Sequence, residues 1–461
     1  MSEKDLKLAF EVIRRKSVPY TELFNYYDGE QPLVYTAKRL TEIFKDLDAY
    51  FAENWCSVVI DAEQDRINLR DIQVSGQGNA KWRELWEASS IFLESDDVHE
   101  ASLVTGEGFF IAWLDEKTNM VQGYHNDPRL VQVFYEAANP RVKKFAAKMW
   151  ADDDGFMRMT LYYPTHLEYY VSGNKAENVQ EAGNFKLLNK ADNPYGEIPV
   201  FHYRLGRRKP KSDLKNTIPL QNGINKLLTD MMVTAEFMAF PQRYIISQAE
   251  VQGKVRNAPN EILDLPAGDG MGQQTAVGQF EAAKLQNYIE AIDNLATAVS
   301  SITRTPKHYF FQVGSNLSGE ALIAMEAPLN KKAQDRIDRF APVWKDVTSF
   351  MLRASGVTVL PSQINVMFDK PETIQPRTTA ETRQMNVTAG MSLTTVWREE
   401  GKSAEWIKQA LKDMEADAAR KQTDLARMLL NAERQLNDPG LDTRVRATRP
   451  AQDDSNGVDD E

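Results

Sequence analysis

The stretch SDLKNTIPLQNGINKLLTDMMVTAEFMAFPQR (212–243) decides the fold, because it reads as one long helix with a defined beginning and end. Asn216 and Thr217 are suitable N-cap residues, and Pro219 suits the first turn, where its missing N–H has no intrahelical partner. Pro241 is expected to end the helix. Apolar residues recur every three or four positions along one face: Leu220, Ile224, Leu227, Met231, Ala235 and Met238.

A second amphipathic helix is predicted over residues 281–304, with a similar apolar face: Leu285, Ile289, Ile292, Ala296, Val299 and Ile302. The residues between the two helices, 241–280, are rich in glycine and proline. Two long helices on either side of such a segment suggest a rod with a tip, and rods of this kind usually pack against copies of themselves. We therefore predict that the apolar residues of both helices contact a neighbouring subunit, in particular Leu220, Ile224, Leu227, Met231, Leu285, Ile289, Ile292 and Val299.

Composition limits the class of protein. A chain of 461 residues exceeds one ordinary core, so two or three structural units are expected. The net charge of −11 argues against a surface that grips DNA phosphates throughout, but it does not exclude a surface past which DNA slides. Cys56 is the single cysteine, which excludes an internal disulfide and fits a reducing compartment. The start, MSEKDLKLAF, has no signal-peptide pattern, and no apolar run approaches a membrane span.

The remaining sequence divides into helical and strand-rich regions, which together predict a mixed α+β protein. Helical patterns occupy residues 5–53. The strand signals lie between residues 55 and 206, in WCSVVIDA (55–62), SLVTGEGFFIAWL (102–114), LVQVFYEA (130–137), RMTLYYPTHLEYYVSG (158–173) and PVFHYRLG (199–206). A third long helix is predicted over 318–355, followed by a short strand at 364–369 and a helical region at 378–436. The acidic end, 437–461, is predicted to be disordered.

No catalytic, metal or cofactor site is predicted. The histidines are scattered singly, without the clustered ligands that a zinc site needs: His99, His125, His166, His202 and His308. The triple aspartate 152–154 before Gly155 is more typical of a solvated turn than of a cation site. The Gly-Asp-Gly-Met-Gly segment at 268–272 lacks the lysine and hydroxyl residue of a phosphate loop, and Gly106–Gly108 is expected to form a strand bulge.

Basic residues gather at both ends of the paired helices. The segment before the first helix is either a solvated linker or an electrostatic contact with a partner or nucleic acid, and it contains Arg204, Arg207, Arg208, Lys209, Lys211 and Lys215. Arg304, Lys307 and His308 follow the second helix, next to the aromatic residues Phe310 and Phe311. The charged run KKAQDRIDRF (331–340) is expected to be a solvated helix face.

Several segments resemble the portal proteins of tailed bacteriophages, in particular those of long-tailed siphoviruses. They lie in the family's order along residues 40–355: NWCSVVIDAEQDRI (54–67), GEGFFIAWLD (106–115), NPYGEIPVFHY (193–203), residues 212–244, AIDNLATAVSSITRTPKHYF (291–310), SGEAL (318–322) and EAPL (326–329) before a helix with Trp344. The block formed by the second helix, the following loop and SGEAL is the most specific part.

The resemblance implies a portal fold and a twelve-subunit ring around a tunnel for double-stranded DNA. Its parts would be a wing (1–215), a first stem helix (216–240), a clip (241–280), a second stem helix (281–304), a tunnel loop (305–318), a long bent helix with a return to the wing (319–372), a helical crown (373–436) and the disordered acidic tail (437–461). Pro328 would kink the long helix.

The resemblance also implies sites and partners. Residues 305–317 join two long helices and are expected to have few local contacts, so this loop should be mobile. By the resemblance it would present Arg304, Lys307, His308, Phe310, Phe311 and Gly314 towards the DNA. Partners would be further copies of the chain, double-stranded DNA, the large terminase subunit, the major capsid and scaffolding proteins and a head–tail adaptor, with no membrane. The protein would assemble in the host cytoplasm and reside at the portal vertex of the virion. The alternatives are another structural head or connector component that conducts no DNA, and an enzyme, for which the sequence lacks a P-loop or carboxylate cluster.

Overall fold

The structure of the chain is a computed structural model that describes residues 2–32, 52–115, 120–206, 209–238, 243–246, 276–279, 284–311, 318–372, 376–400, 402 and 404–436. The predicted disordered tail and the predicted helix between 37 and 51 lie outside these ranges. The described residues form helices and mostly antiparallel sheets, which confirms the α+β class. The chain divides into two compact units, residues 1–373 and 374–461.

Ten helices are named here in chain order: α1 (Ser2–Asp28), α2 (Trp55–Gln64), α3 (Gly78–Ala88), α4 (Ile91–Thr105), α5 (Ile218–Met238), α6 (Gln286–Thr303), α7 (Gly319–Ala354), α8 (Pro376–Thr388), α9 (Leu393–Glu399) and α10 (Ala404–Leu436). The described strands are β1 (Leu69–Val74), β2 (Glu107–Asp115), β3 (Met120–Asn126), β4 (Val131–Tyr135), β5 (Lys143–Ala151), β6 (Phe156–Tyr162), β7 (His166–Lys175), β8 (Phe185–Asp192), β9 (Val200–Arg204), β10 (Arg243–Ile246), β11 (Ala276–Gln279) and β12 (Ile364–Phe368).

The strands form four sheets. Consecutive strands β4 to β8 make a five-stranded antiparallel meander, and β3, β2 and β9 make a three-stranded sheet. Helix α1 packs on the meander because Leu6, Phe10 and Ile13 lie on one helical face and are buried with residues of β5 to β8. Strand β1 pairs with β12, so the segment after α7 returns to the N-terminal part of the chain.

The main core of the first unit forms where α7 packs among α4, β2 and β9. The ring of His99 stacks on Phe340 at a centroid distance of 4.7 Å and accepts a hydrogen bond from the indole N–H of Trp344 at 3.0 Å. Burial lowers the pKa of His99 to about 3, so this imidazole is neutral at pH 7. His99 is therefore a core residue.

The prediction of a strand at WCSVVIDA (55–62) is wrong, because these residues form α2. Asn54 caps the helix by accepting a hydrogen bond from the backbone N–H of Ser57 at 3.3 Å. Trp55 and Val59 face one core, and Cys56 and Ile60 face another, which is why the segment is apolar on two sides. The β-branched residues favoured a strand in the sequence, but burial on two sides and the cap determine a helix.

The prediction of a bulge at Gly106–Gly108, within a strand over 102–114, is also wrong. Residues up to Thr105 belong to α4, and Gly106 ends that helix with a φ of 92° before β2 begins at Glu107. A Cβ at Gly106 would lie 2.4 Å from the backbone nitrogen of Lys211. Glycine is required here both for the left-handed conformation and for the close approach of the segment that leads into α5.

The paired helices and the long helix have bounds close to the sequence prediction. The backbone carbonyl of Thr217 accepts from Gln221 N at 2.8 Å at the start of α5, and Ser318 caps α7 by accepting from Ala321 N at 3.2 Å. Strands β10 and β11 pair antiparallel within the predicted clip, with Tyr244 opposite Gly278. Helix α7 is continuous over 36 residues and contains both Pro328 and Pro342.

The second unit contains α8, α9 and α10, with Val396, Trp397 and Ile407 buried. Arg383 makes two hydrogen bonds to the carboxylate of Glu400, at 2.8 and 2.9 Å, and thereby joins α8 to the end of α9. The described residues of the predicted crown segment thus form three helices joined by short turns, while the crown role remains a prediction. No helix in the described parts of the chain is both long and apolar enough to cross a membrane.

Candidate DNA-channel segment at the end of the paired helices

Helices α5 and α6 pack against each other and share a small core with α2. The buried members of this core are Trp55, Val59, Ile224, Ile292, Ala296 and Val299, with Leu220, Leu227, Leu228, Leu295, Phe310 and Phe311 packed around them. The apolar faces predicted from the sequence are therefore partly buried within one chain. This arrangement positions the residues that follow α6.

The predicted subunit contacts divide into two groups. Ile224, Ile292 and Val299 are buried within the chain, and Leu220, Leu227 and Met231 are half-buried. Leu285 and Ile289 are 36% and 49% exposed. The sequence argument that an apolar face needs a neighbouring subunit thus applies most strongly to Leu285 and Ile289, and their contact with a neighbour remains a prediction.

The segment after α6 begins with a left-handed residue and a tight turn. Arg304 has a φ of 63° and is exposed, and residues Lys307–Tyr309 form one turn of 3₁₀ helix. The ammonium of Lys307 lies 2.8 Å from a carboxylate oxygen of Asp293 on α6. Lys307 is therefore held back against the helix, and an aspartate offsets its charge.

His308 and Tyr309 join this turn to α2 and α7. Nε2 of His308 lies 3.7 Å from a carboxylate oxygen of Glu326, and the same carboxylate lies 3.5 Å from the guanidinium of Arg66. Arg66 also donates a hydrogen bond of 2.8 Å to the hydroxyl of Tyr309. The start of α7 is thereby connected to the end of α2 through the predicted tunnel loop.

Phe310 and Phe311 both pack on Trp55, with ring centroids 5.4 and 5.3 Å away. The expectation that the predicted tunnel loop has few local contacts is therefore wrong for residues 305–311, because Trp55, Asp293 and Glu326 all hold it. Gly314 lies outside the described residues. The kink at Pro328 remains a prediction.

A buried group of four charged side chains lies beside this segment, and we call it the ion network: Glu63, Asp213, Lys332 and Arg336. Arg336 donates to Glu63 at 2.9 Å and to both oxygens of Asp213 at 3.0 and 3.1 Å, and Lys332 lies 2.5 Å from Glu63. Helix α2, the segment before α5 and helix α7 are thus tied together. The expectation that residues 331–340 form a plain solvated face is wrong for Lys332, which is buried, and for Arg336, which is mostly buried.

The sequence analysis missed the ion network, although it contains a signal for it. Glu63 is the last acidic residue on an otherwise buried helix face, and Lys332 and Arg336 lie four positions apart, on one side of α7. Burial raises the pKa of Glu63 to about 7, and the negative charge of Asp213 adds to that shift against the opposing effect of Lys332 and Arg336. The pKa of Asp213 is lowered, because the two cations outweigh its burial.

The raised pKa of Glu63 makes the stability of the first unit depend on pH. A carboxyl group whose pKa is higher in the folded chain than in the unfolded chain stabilises the fold when the pH is below the unfolded pKa. This contribution is lost as the pH rises through the folded pKa. Between pH 5 and 7 we therefore expect the wild type to lose stability relative to Glu63→Gln by roughly 1 kcal/mol per pH unit. Urea unfolding followed by tryptophan fluorescence measures this difference. If the free energy of unfolding changed with pH equally in the wild type and in Glu63→Gln, this expectation would be contradicted. The control is Glu320→Gln, which changes an exposed carboxylate at the start of α7.

A second buried charge cluster holds α1 in place. Lys16 lies 3.0 Å from Glu107, which also accepts hydrogen bonds from Tyr20 at 2.9 Å and His202 at 3.0 Å. Burial alone would raise the pKa of Glu107, but the hydrogen bond from His202 and the charge of Lys16 outweigh it and bring the pKa to about 2. This cluster is structural, since α1 lies across the edge where β2 begins.

The described residues offer no metal site: no group of three His, Cys, Asp or Glu side chains among them is close enough to hold an ion. Asp152 instead accepts hydrogen bonds from Phe156 N at 2.7 Å and from Arg158 at 2.6 Å, as a turn residue. The region contains two long helices, a following segment that is held by Trp55, Asp293 and Glu326, and both buried and exposed cations. Such an arrangement suits a structural protein that meets a polyanion.

Comparison with known proteins agrees with this view. The family described as "Phage portal protein, SPP1 Gp6-like" matches residues 15–424, and the chain belongs to that family. The chain is 24% identical over 290 residues to the portal protein of Mycobacterium phage L5, and 30% identical over 290 residues to that of Mycobacterium phage D29. Each match covers 58% of this chain and 57% of the relative, so the chain spans little more than half the length of these curated relatives.

Membership of the portal family confirms the resemblance inferred from residues 40–355 and the expected portal fold. The family is structural, which confirms the prediction that the chain is not an enzyme. A portal protein is a structural component of the virion.

Proposed function

We propose that this chain forms a closed ring at one vertex of a phage head, through which double-stranded DNA is packaged and later ejected. The proposal rests on family membership together with one observation on the paired helices: Ile289 and Ile302 of α6, and Leu285 just before it, are exposed while the other face of α6 is buried against α5. A second copy of the chain can cover that exposed face. Head-to-tail contacts that close by rotation would cover it in every subunit of the ring.

The ring would have twelve subunits, with the paired helices as its stem and residues 241–280 as the clip. The large terminase subunit would dock there during packaging and a head–tail adaptor afterwards, and the wing would meet the major capsid and scaffolding proteins during assembly in the host cytoplasm. The acidic balance of the chain supports passage of DNA, because a channel that neutralised many phosphates would retain DNA. A ring with a limited number of cations would guide DNA and still release it.

The exposed face of α6 gives the first test. Ile289→Asp places a charge where a neighbouring apolar surface is proposed, and at 49% exposure it should leave the fold of one chain intact. We expect rings in negative-stain electron micrographs of the wild type, and a shift to monomers in sedimentation for the variant. Leu188→Asp on strand β8, 61% exposed, is the matched control and should assemble normally.

The absence of rings in concentrated wild-type protein would contradict the proposed function. Rings that form equally well with Ile289→Asp would show that α6 is not the subunit contact. Heads built with ring-competent protein should protect DNA from nuclease. Heads that assemble around the ring but never acquire DNA, with terminase active, would favour a connector component without a DNA-conducting role.

A further inference from the structure

The cations that the sequence placed in the DNA channel are not equally available. Lys307 lies against Asp293 and His308 faces Glu326, so both have an acidic partner within the chain. Arg304 is exposed, and no acidic partner is assigned to it among the described residues. Of these three cations, Arg304 is therefore the one most available to an external ligand.

Arg304 borders a cavity of about 440 Å³ that lies between the segment before α5, the end of α6 and the middle of α7. This volume is within the range of small-ligand pockets, about 300–1,000 Å³. Six basic residues and two acidic residues line it: Lys211, Arg304, Lys331, Lys332, Arg336, Arg339, Asp213 and Asp335. In a chain with a net charge of −11, this is a local excess of positive charge.

The cavity has a fixed floor and an adaptable rim. Lys332 and Arg336 form the floor and are already paired with Glu63 and Asp213 in the ion network. Lys211, Arg304 and Lys331 are exposed at the opening. The backbone of Lys211 lies against Gly106, at a position where a Cβ would collide with it. The floor keeps three segments of chain together, and the three rim cations form no ion pair with the part of the chain that the structure describes.

The backbone of Arg304 supplies an independent observation. It follows the last residue of α6 in the left-handed conformation, where glycine is the usual residue and other L residues are strained. A basic residue recovers only part of this cost through its favourable interaction with the helix dipole. An arginine at this position thus has no clear advantage in stability, and its guanidinium points to a role at the cavity.

We propose that this cavity binds backbone phosphates of double-stranded DNA, with Lys211, Arg304 and Lys331 as the contacting residues. The inference rests on the proposed function and adds a specific site to it. Exposed, flexible cations around one opening suit sequence-independent contact with a series of phosphates. The alternative ligand is a carboxylate of a neighbouring subunit, which would bind best to an arginine held in one orientation. Arg336 is held in this way, but it already donates a hydrogen bond to Asp213.

The test uses the purified full chain and a 20-base-pair fluorescent duplex, with binding followed by anisotropy at several salt concentrations. In the triple variant Lys211→Gln, Arg304→Gln and Lys331→Gln, we expect at least a tenfold loss of affinity at low salt. The slope of log K against log salt should fall by about 0.9 for each lost phosphate contact. The matched control, with the same change of charge on exposed positions of α1, is Lys4→Gln, Lys7→Gln and Arg15→Gln, and it should bind as the wild type does.

Arg304→Gly separates binding from folding. We expect this variant to be at least as stable as the wild type in urea unfolding, because glycine suits the left-handed backbone. Its affinity for the duplex should nevertheless fall. A variant that loses stability and keeps full affinity would show that Arg304 only caps α6, and would overturn its place in the site.

Ring formation, measured on the same samples, distinguishes this inference from the proposed function. If wild-type rings form and the triple variant binds the duplex with unchanged affinity and salt slope, the phosphate site is wrong and the proposed function stands. If the triple variant fails to form rings while its DNA affinity is unchanged, the cavity is a contact between subunits. If the wild type forms no rings, the proposed function itself fails.

Discussion

Arg336→Met is expected to lower the free energy of unfolding of the first unit by about 3–5 kcal/mol at pH 8, since it leaves Glu63 and Asp213 buried with only Lys332 to compensate them. At pH 8 Glu63 is ionised, because its pKa is about 7. The loss should be smaller at pH 5, where Glu63 carries a proton. Urea unfolding monitored by tryptophan fluorescence at both pH values measures the difference.

Arg339→Met on the same helix is the matched control. Arg339 pairs with Asp335 one turn away on a partly exposed surface, so its removal should cost no more than about 0.5 kcal/mol. The double variant Glu63→Gln, Arg336→Met should recover part of the loss, since it removes a buried charge together with its partner. A loss below about 1 kcal/mol for Arg336→Met would mean that water reaches the ion network and solvates the two carboxylates.

Trp55→Ala is expected to have an effect of similar size and to release the segment after α6. Trp55 is buried, contacts both Phe310 and Phe311, and belongs to the core shared by α5 and α6. Truncation of a buried tryptophan removes packing and leaves a cavity, at a cost of about 3–5 kcal/mol. Because Trp55 holds residues 305–311, trypsin should then cleave after Lys307 much faster than in the wild type.

Cleavage after Lys307 can be followed by mass spectrometry of the intact chain during limited digestion under native conditions. Phe92→Ala, at a residue 48% exposed on α4, should change neither stability nor cleavage at this position. Slow cleavage in Trp55→Ala, despite a measured loss of stability, would show that Asp293 and Glu326 suffice to fix the turn.

The sequence predicted the long helices well, because their signals are local. Ser318 and Pro219 mark helix starts, and an apolar residue every three or four positions marks α5, α6 and α7. The sequence failed at α2, where apolar residues on two sides conceal the helical period. Only the hydrogen bond from Ser57 N to the Asn54 side chain and burial on two sides identify that helix.

The interior of the candidate site could not be predicted, because its partners are distant in sequence. The apolar face of α6 indicated that something covers Ile292, but not that Trp55 contributes to the same core. Charged residues at helical spacing around Lys332 look solvated until Glu63 and Asp213 are brought beside them by the fold. The cavity beside Arg304 likewise exists only once three separate segments meet.

Helix α7 has a mechanical consequence. At 1.5 Å per residue its 36 residues extend about 54 Å, and along that length it carries Glu326 near the loop, Lys332 in the ion network and Trp344 in the main core of the first unit. A force applied to the turn at 307–311 therefore acts on one end of a stiff rod whose other end is embedded in close-packed side chains. Pro328 lies between Glu326 and Lys332 and lacks the N–H that would tie it to the preceding turn. A pull on the loop is consequently either transmitted to the main core of the first unit or absorbed by bending near Pro328.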